Sequence, residues 1–196
     1  MENSKKGKMF IFIKKYMYYF VALLLILGVT LALVLSSGQA KKIEEEVNVP
    51  TQTMPVVFGL PVNSPIVLKW YSDTELMYNE TLNQWESHKG LDIVSASESD
   101  LSVYSVLDGV VTNIEDSYEF GTILTITHDN GFVSKYSSLD ANLNVEVSDS
   151  VKKGQLLGVV TDSATNEQKQ GKHLHFELFK DGQKVDPANY LSLEDK

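Results

Sequence analysis

The chain has 196 residues, enough for one domain with a hydrophobic core plus an appendage. It contains no cysteine, which excludes disulfides, thiolate metal ligands and a cysteine nucleophile. The net charge of −9 divides into +4 over residues 1–40 and −13 over residues 41–196; so acidic a domain repels phosphates, and nucleic acid is excluded as a partner.

Residues 1–15 form a basic segment that carries Lys5, Lys6, Lys8, Lys14 and Lys15. Tyr16 to Leu35, YMYYFVALLLILGVTLALVL, then runs for twenty residues without a charge. As a helix it would extend ~30 Å, the thickness of a bilayer's hydrocarbon core, so one transmembrane helix is expected over 16–36. Lysines crowd its N-terminal side, while Glu44, Glu45 and Glu46 soon follow it. The positive-inside rule then puts the N-terminus in the cytoplasm and the C-terminal domain outside, on a single-pass anchor in the cell membrane. Gly38-Gln39-Ala40 would suit a cleaved signal peptide, but the apolar run exceeds the usual h-region of about 7–15 residues and favours a retained anchor. Residues 37–54 are charged, then rich in Thr and Gln, and read as an extracytoplasmic stalk.

From 55 to 191 the signals are those of an all-β, antiparallel domain, with 192–196 as a tail. LSVYSVLDGVVTNI (101–114), GTILTITHDNGFVSKYSSL (121–139) and VKKGQLLGVV (151–160) are short β-branched runs broken by glycines. Asn130-Gly131 and Asp181-Gly182 are hairpin turns between such runs. Asp73 to Trp85 fits neither period and stays open between a short helix and an ordered loop. Asp186-Pro187 reads as a turn, and Trp70 and Trp85 as core or groove wall.

The chemistry concentrates in KHLHFELF, Lys172 to Phe179. On a strand, His173, His175 and Glu177 share one face, while Leu174, Phe176 and Leu178 fill the other. WESHKGLDI adds His88 and Asp92, with Gly90 between them. His88, Asp92 and one histidine of the later pair make a two-nitrogen, one-oxygen donor set suited to zinc. The remaining histidine is left as proton donor or transition-state partner.

HKGLDI and HLHFEL, with DGVV, THDNGF, VKKGQLLG and VDPANYL in order, closely resemble the LytM-type (M23) zinc peptidase domain over about residues 62–191. The resemblance implies an antiparallel β fold with hairpins around a narrow groove, one Zn2+ per domain, and hydrolysis of peptide cross-links in peptidoglycan. Carried over by motif, it implies His88, Asp92 and His175 as zinc ligands and His173 as one catalytic histidine. Active members end the hairpin after the Asn-Gly turn in Tyr-x-His-Leu, whereas this chain reads Tyr136-Ser137-Ser138-Leu139. Ser138 thus replaces the second catalytic histidine. A hydroxyl offers one hydrogen bond and no cationic form near pH 7, a loss of ~3–4 kcal/mol in transition-state stabilisation. His128, beside the Asn-Gly turn, reads as a hairpin-end residue and not as a replacement.

An anchor, a stalk and a LytM-like domain with an impaired site are also similar to a family of sporulation membrane proteins. Their LytM domain binds a membrane partner protein across an intermembrane space. The sequence therefore leads to a weak or inactive metallo-endopeptidase, or to a catalytically silent interaction module. A lipoyl-like carrier, suggested by GVVT and VKKGQLLG, would need a lysine at an exposed turn tip, and Asp129-Asn130-Gly131 supplies none.

Overall fold

The computed structural model describes residues 14–19, 21–30 and 56–193. They belong to two compact units that divide between Thr53 and Met54. In the first, residues 14–19 and 21–30 are helical, as a Leu-rich apolar run favours. No helix among the described residues is long and apolar enough to cross a membrane. The rest of the expected 16–36 span, the 37–54 stalk and most of the 192–196 tail lie outside the described residues.

The second unit is all-β and antiparallel, as expected. Its main sheet has eight strands. Seven lie in the order β1 (Pro65–Lys69), β4 (Leu91–Ser95), β11 (Leu174–Lys180), β8 (Phe132–Leu139), β7 (Gly121–His128), β6 (Gly109–Ser117), β9 (Ser150–Val151). The eighth, β12 (Gln183–Val185), pairs with β11. Two small sheets join β5 (Ser102–Tyr104) to β10 (Leu156–Val159), and β2 (Leu76–Asn79) to β3 (Gln84–Ser87).

Strand alternation builds the core. Leu174, Phe176 and Leu178 of β11 are fully buried, together with Leu91 and Ile93 of β4 and Leu124 and Ile126 of β7. Tyr136 is fully buried as well; its ring packs on Phe176 and its hydroxyl accepts a hydrogen bond from Val106 N at 3.0 Å. Tyr136 therefore belongs to the core and not to a groove.

Both expected turns are present. Asn130 (φ 61°) and Gly131 (φ 75°) link β7 to β8, and Asp181 (φ 50°) and Gly182 (φ 79°) link β11 to β12. Asp186 caps the turn at Pro187, its Oδ1 accepting from Ala188 N at 2.9 Å. His128 ends β7; its Nδ1–H donates to Asp108 O at 3.0 Å and its Nε2 accepts from Ser134 Oγ at 2.7 Å. The Asp73–Trp85 stretch is neither helix nor loop but the β2–β3 hairpin. Tyr78 and Trp85 pair across it with ring centroids 5.4 Å apart, and Asn79 Oδ1 accepts from Thr81 N and Leu82 N. Trp85 is 66% exposed, so it lies on that hairpin's surface and not in the core.

Candidate metal centre

The position of β11 between β4 and β8 makes the site. The sheet register sets His175 opposite Asp92 on one side and opposite Ser137 on the other. His88 enters from the end of β3, and Gly90 lets the turn pass close: a Cβ there would lie 2.8 Å from both His175 Nε2 and Phe176 O. His88, Asp92, His173 and His175 are all buried.

Three donors converge. His88 Nε2 lies 3.1 Å from Asp92 Oδ1, His175 Nδ1 lies 2.7 Å from the same oxygen, and the two nitrogens are 3.3 Å apart. Tetrahedral zinc with bonds of about 2.0–2.1 Å holds its donors roughly 3.3 Å apart, so the set fits such an ion once the 2.7 Å His175–Asp92 contact opens by a few tenths of an ångström. The outer atoms are anchored. Trp70 O accepts from His88 Nδ1 at 2.9 Å, which leaves the His88 Nε2 lone pair facing inward. Gln170 Nε2 donates to Asp92 Oδ2 at 2.7 Å, which leaves Oδ1 for the centre. Glu177 Oε1 lies 3.4 Å from His175 Nε2 and takes a 2.6 Å hydrogen bond from Lys184 Nζ.

The electrostatics suit a cation. Burial opposes ionisation of Asp92, but the hydrogen bond from His175 and the nearby His88 imidazole hold its carboxyl well below the usual range. Burial also disfavours a charged His175, yet Asp92 and Glu177 raise that imidazole to about 10. The proton on Nδ1 therefore holds the place a metal ion would take, and metal binding displaces it. Glu177, despite burial, is drawn down to about 2 by His175 and Lys184.

His173 immediately precedes β11. Its Nδ1 donates to Gly171 O at 2.8 Å, while its buried Nε2 makes no hydrogen bond and lies 3.5 Å from Glu167 Oε2 and 3.8 Å from Asp92 Oδ1. Ser138 is placed differently. Its backbone is left-handed (φ 68°), and its hydroxyl donates to Thr161 O at 3.1 Å.

Sequence reading missed Glu167, Lys69 and Gln170. Glu167, with His88, Asp92 and His175, offers donor atoms that all lie within 4.8 Å of one another. It sits in the polar loop NEQKQ, where no period or motif marks it. A cleft of about 570 Å³ lies over the cluster, lined in part by Leu82, Phe120, His88, Glu167, His175 and Glu177.

Comparison with known proteins places this site in a family. The profile of Peptidase family M23 matches residues 86–187, a span that includes His88, Asp92, Ser138, His173 and His175. The chain belongs to peptidase family M23. It is 30% identical over 144 residues to stage II sporulation protein Q of Bacillus subtilis, a match over 70% of this chain and 50% of that protein. To DD-carboxypeptidase/endopeptidase Mpg of Neisseria meningitidis it is 31% identical over 108 residues, covering 55% of this chain and 24% of Mpg. The chain thus spans half the length of the first relative and about a quarter of the second. A chain of the solved SpoIIQ–SpoIIIAH pore-forming complex superposes with a TM-score of 0.60 at 27% identity, over 70% of this chain and 92% of that one.

Proposed function

We propose that this M23 domain is held outside the cytoplasm by a single-pass membrane anchor, keeps a zinc site, and serves as a protein-binding module with weak or absent hydrolysis. The observation that carries the reading is Ser138. Where active members have a second imidazole, this chain has a hydroxyl already engaged with Thr161 O.

His88, Asp92 and His175 would hold the metal. Zinc, when bound, acidifies a coordinated water to about pKa 7 and polarises a carbonyl. His173, oriented by Gly171 O and with Nε2 3.8 Å from Asp92 Oδ1, would offer that nitrogen to a reacting group at the metal. The second donor to the developing negative charge is missing, which corresponds to about a 10²–10³-fold loss in rate. Similarity to stage II sporulation protein Q, and to a chain of its pore-forming complex with SpoIIIAH, supports a SpoIIIAH-like membrane partner and a role in sporulation. The uncharged Tyr16–Leu35 run supports the anchor. A second reading, residual cleavage of peptidoglycan cross-links, is favoured by the presence of His173 beside the metal donors.

The test incubates the full-length, zinc-loaded protein in detergent with purified peptidoglycan and counts newly freed peptide ends by mass spectrometry. Asp92→Ala, expected to lose the metal, is the control. We expect no release above the control, and a stable complex when the chain is co-expressed with a SpoIIIAH homologue. Release confined to the wild type would make the protein a working peptidase.

A further inference from the structure

We infer that Glu167 is a fourth protein ligand that closes the metal site, and that Lys69 is the residue that positions it. The inference rests on the metal-site reading above and goes beyond it, since a three-ligand site leaves room for water whereas this one does not.

The four side chains are built to one plan. Each has an outer polar atom anchored and an inner one aimed at a common centre. For His88 the anchor is Trp70 O, for Asp92 it is Gln170 Nε2, and for His175 it is Glu177. For Glu167 it is Lys69, whose Nζ donates to Oε1 at 2.9 Å. Oε2 is left facing inward, 3.8 Å from His175 Nδ1 and 3.5 Å from the unpartnered Nε2 of His173. The Glu167 side chain is only 6% exposed, so water does not solvate its charge. Lys69 bridges both carboxylates, with Nζ also 3.6 Å from Asp92 Oδ2.

The loop that carries Glu167 is tied down on two sides. Asn166 N donates to Glu119 O at 3.2 Å and Asn166 O accepts from Asn79 Nδ2 at 3.0 Å. Lys169 N donates to Thr81 Oγ1 at 3.0 Å and Thr165 Oγ1 donates to Tyr118 O at 2.7 Å. These bonds fix Glu167 from the β2–β3 hairpin and from the β6–β7 turn. Two carboxylates and two neutral imidazoles balance the charge of a divalent ion and supply four donor atoms, all within 4.8 Å of one another. Four protein ligands characterise structural zinc sites, and three with an open position characterise catalytic ones. Here the fourth position, where a catalytic site keeps its water, belongs to Glu167.

Cobalt(II) is the probe, because its visible spectrum reports ligand number and responds when azide takes an open position. With the full-length protein in detergent, the wild-type Co2+ spectrum is expected to be unchanged by azide. Glu167→Ala should bind Co2+ about 10–100-fold more weakly, and azide should shift its bands. Lys69→Met should become azide-sensitive with every ligand present, and Lys69→Arg should restore inertness. An azide shift in the wild type would overturn the inference whether or not the variants fold. So would a Glu167→Ala protein with wild-type affinity and no azide response. Failure of the wild type to take up Co2+ would instead overturn the metal-site reading on which the inference stands.

Discussion

His128 is held at the end of β7 between a carbonyl and a hydroxyl, and the residue is 5% exposed. Burial pushes the imidazole below its usual 6.5, against the opposing pull of the Asp108 carbonyl and of the Asp129 and Asp108 carboxylates. Unfolding returns it to solvent, where it titrates at the ordinary value. Below 6.5 and above the folded value, the unfolded state therefore binds the extra proton. This contribution to stability is complete above the unfolded pKa and is lost progressively as pH falls through that window. As pH falls below 6.5, the stability from urea unfolding at a series of pH values should decline less steeply for His128→Gln than for the wild type. Equal slopes would show that His128 does not titrate on unfolding. Ser138 illustrates a different local effect. Its left-handed backbone and its bond to Thr161 O tie the side chain to the segment that carries Thr161.

The β3–β4 turn decides how closely the metal donors approach. Gly90 lies against His175 and Phe176 O, so an added methyl group must push the imidazole or the strand. Gly90→Ala should lower zinc affinity about 10–100-fold, read by competition with a chelating dye, although every ligand is retained. It should also cost ~1–3 kcal/mol of stability by overpacking. An unchanged affinity would mean that this turn does not set the donor geometry. The hairpins at Asn130-Gly131 and Asp181-Gly182 were legible because their positive-φ pairs are local chemistry. The β2–β3 hairpin was not. Its turn depends on the Asn79 side chain, which also donates to Asn166 O across the fold, and its cross-strand Tyr78–Trp85 pair is exposed. Neither feature leaves a period-2 apolar pattern to read.

The two units carry opposite charge, and the absence of cysteine makes their sidedness simple to measure. Single cysteines at Ser4 and at exposed Ser97 should behave differently in intact cells with the outer layers permeabilised. A membrane-impermeant maleimide should label Ser97→Cys and spare Ser4→Cys; labelling of both, or of Ser4→Cys alone, would overturn the proposed topology. From the sequence alone came the antiparallel β class, the two Gly-containing turns, the alternation of β11 and the group of His88, Asp92, His173 and His175. Each is written in short-range periodicity or in a motif. The tertiary structure alone decided that Glu167 and Lys69 join them. Those two residues lie far apart in the chain, on a polar loop and an edge strand. Only the order of strands in the sheet and the hydrogen bonds of one loop bring their charges to the same buried point.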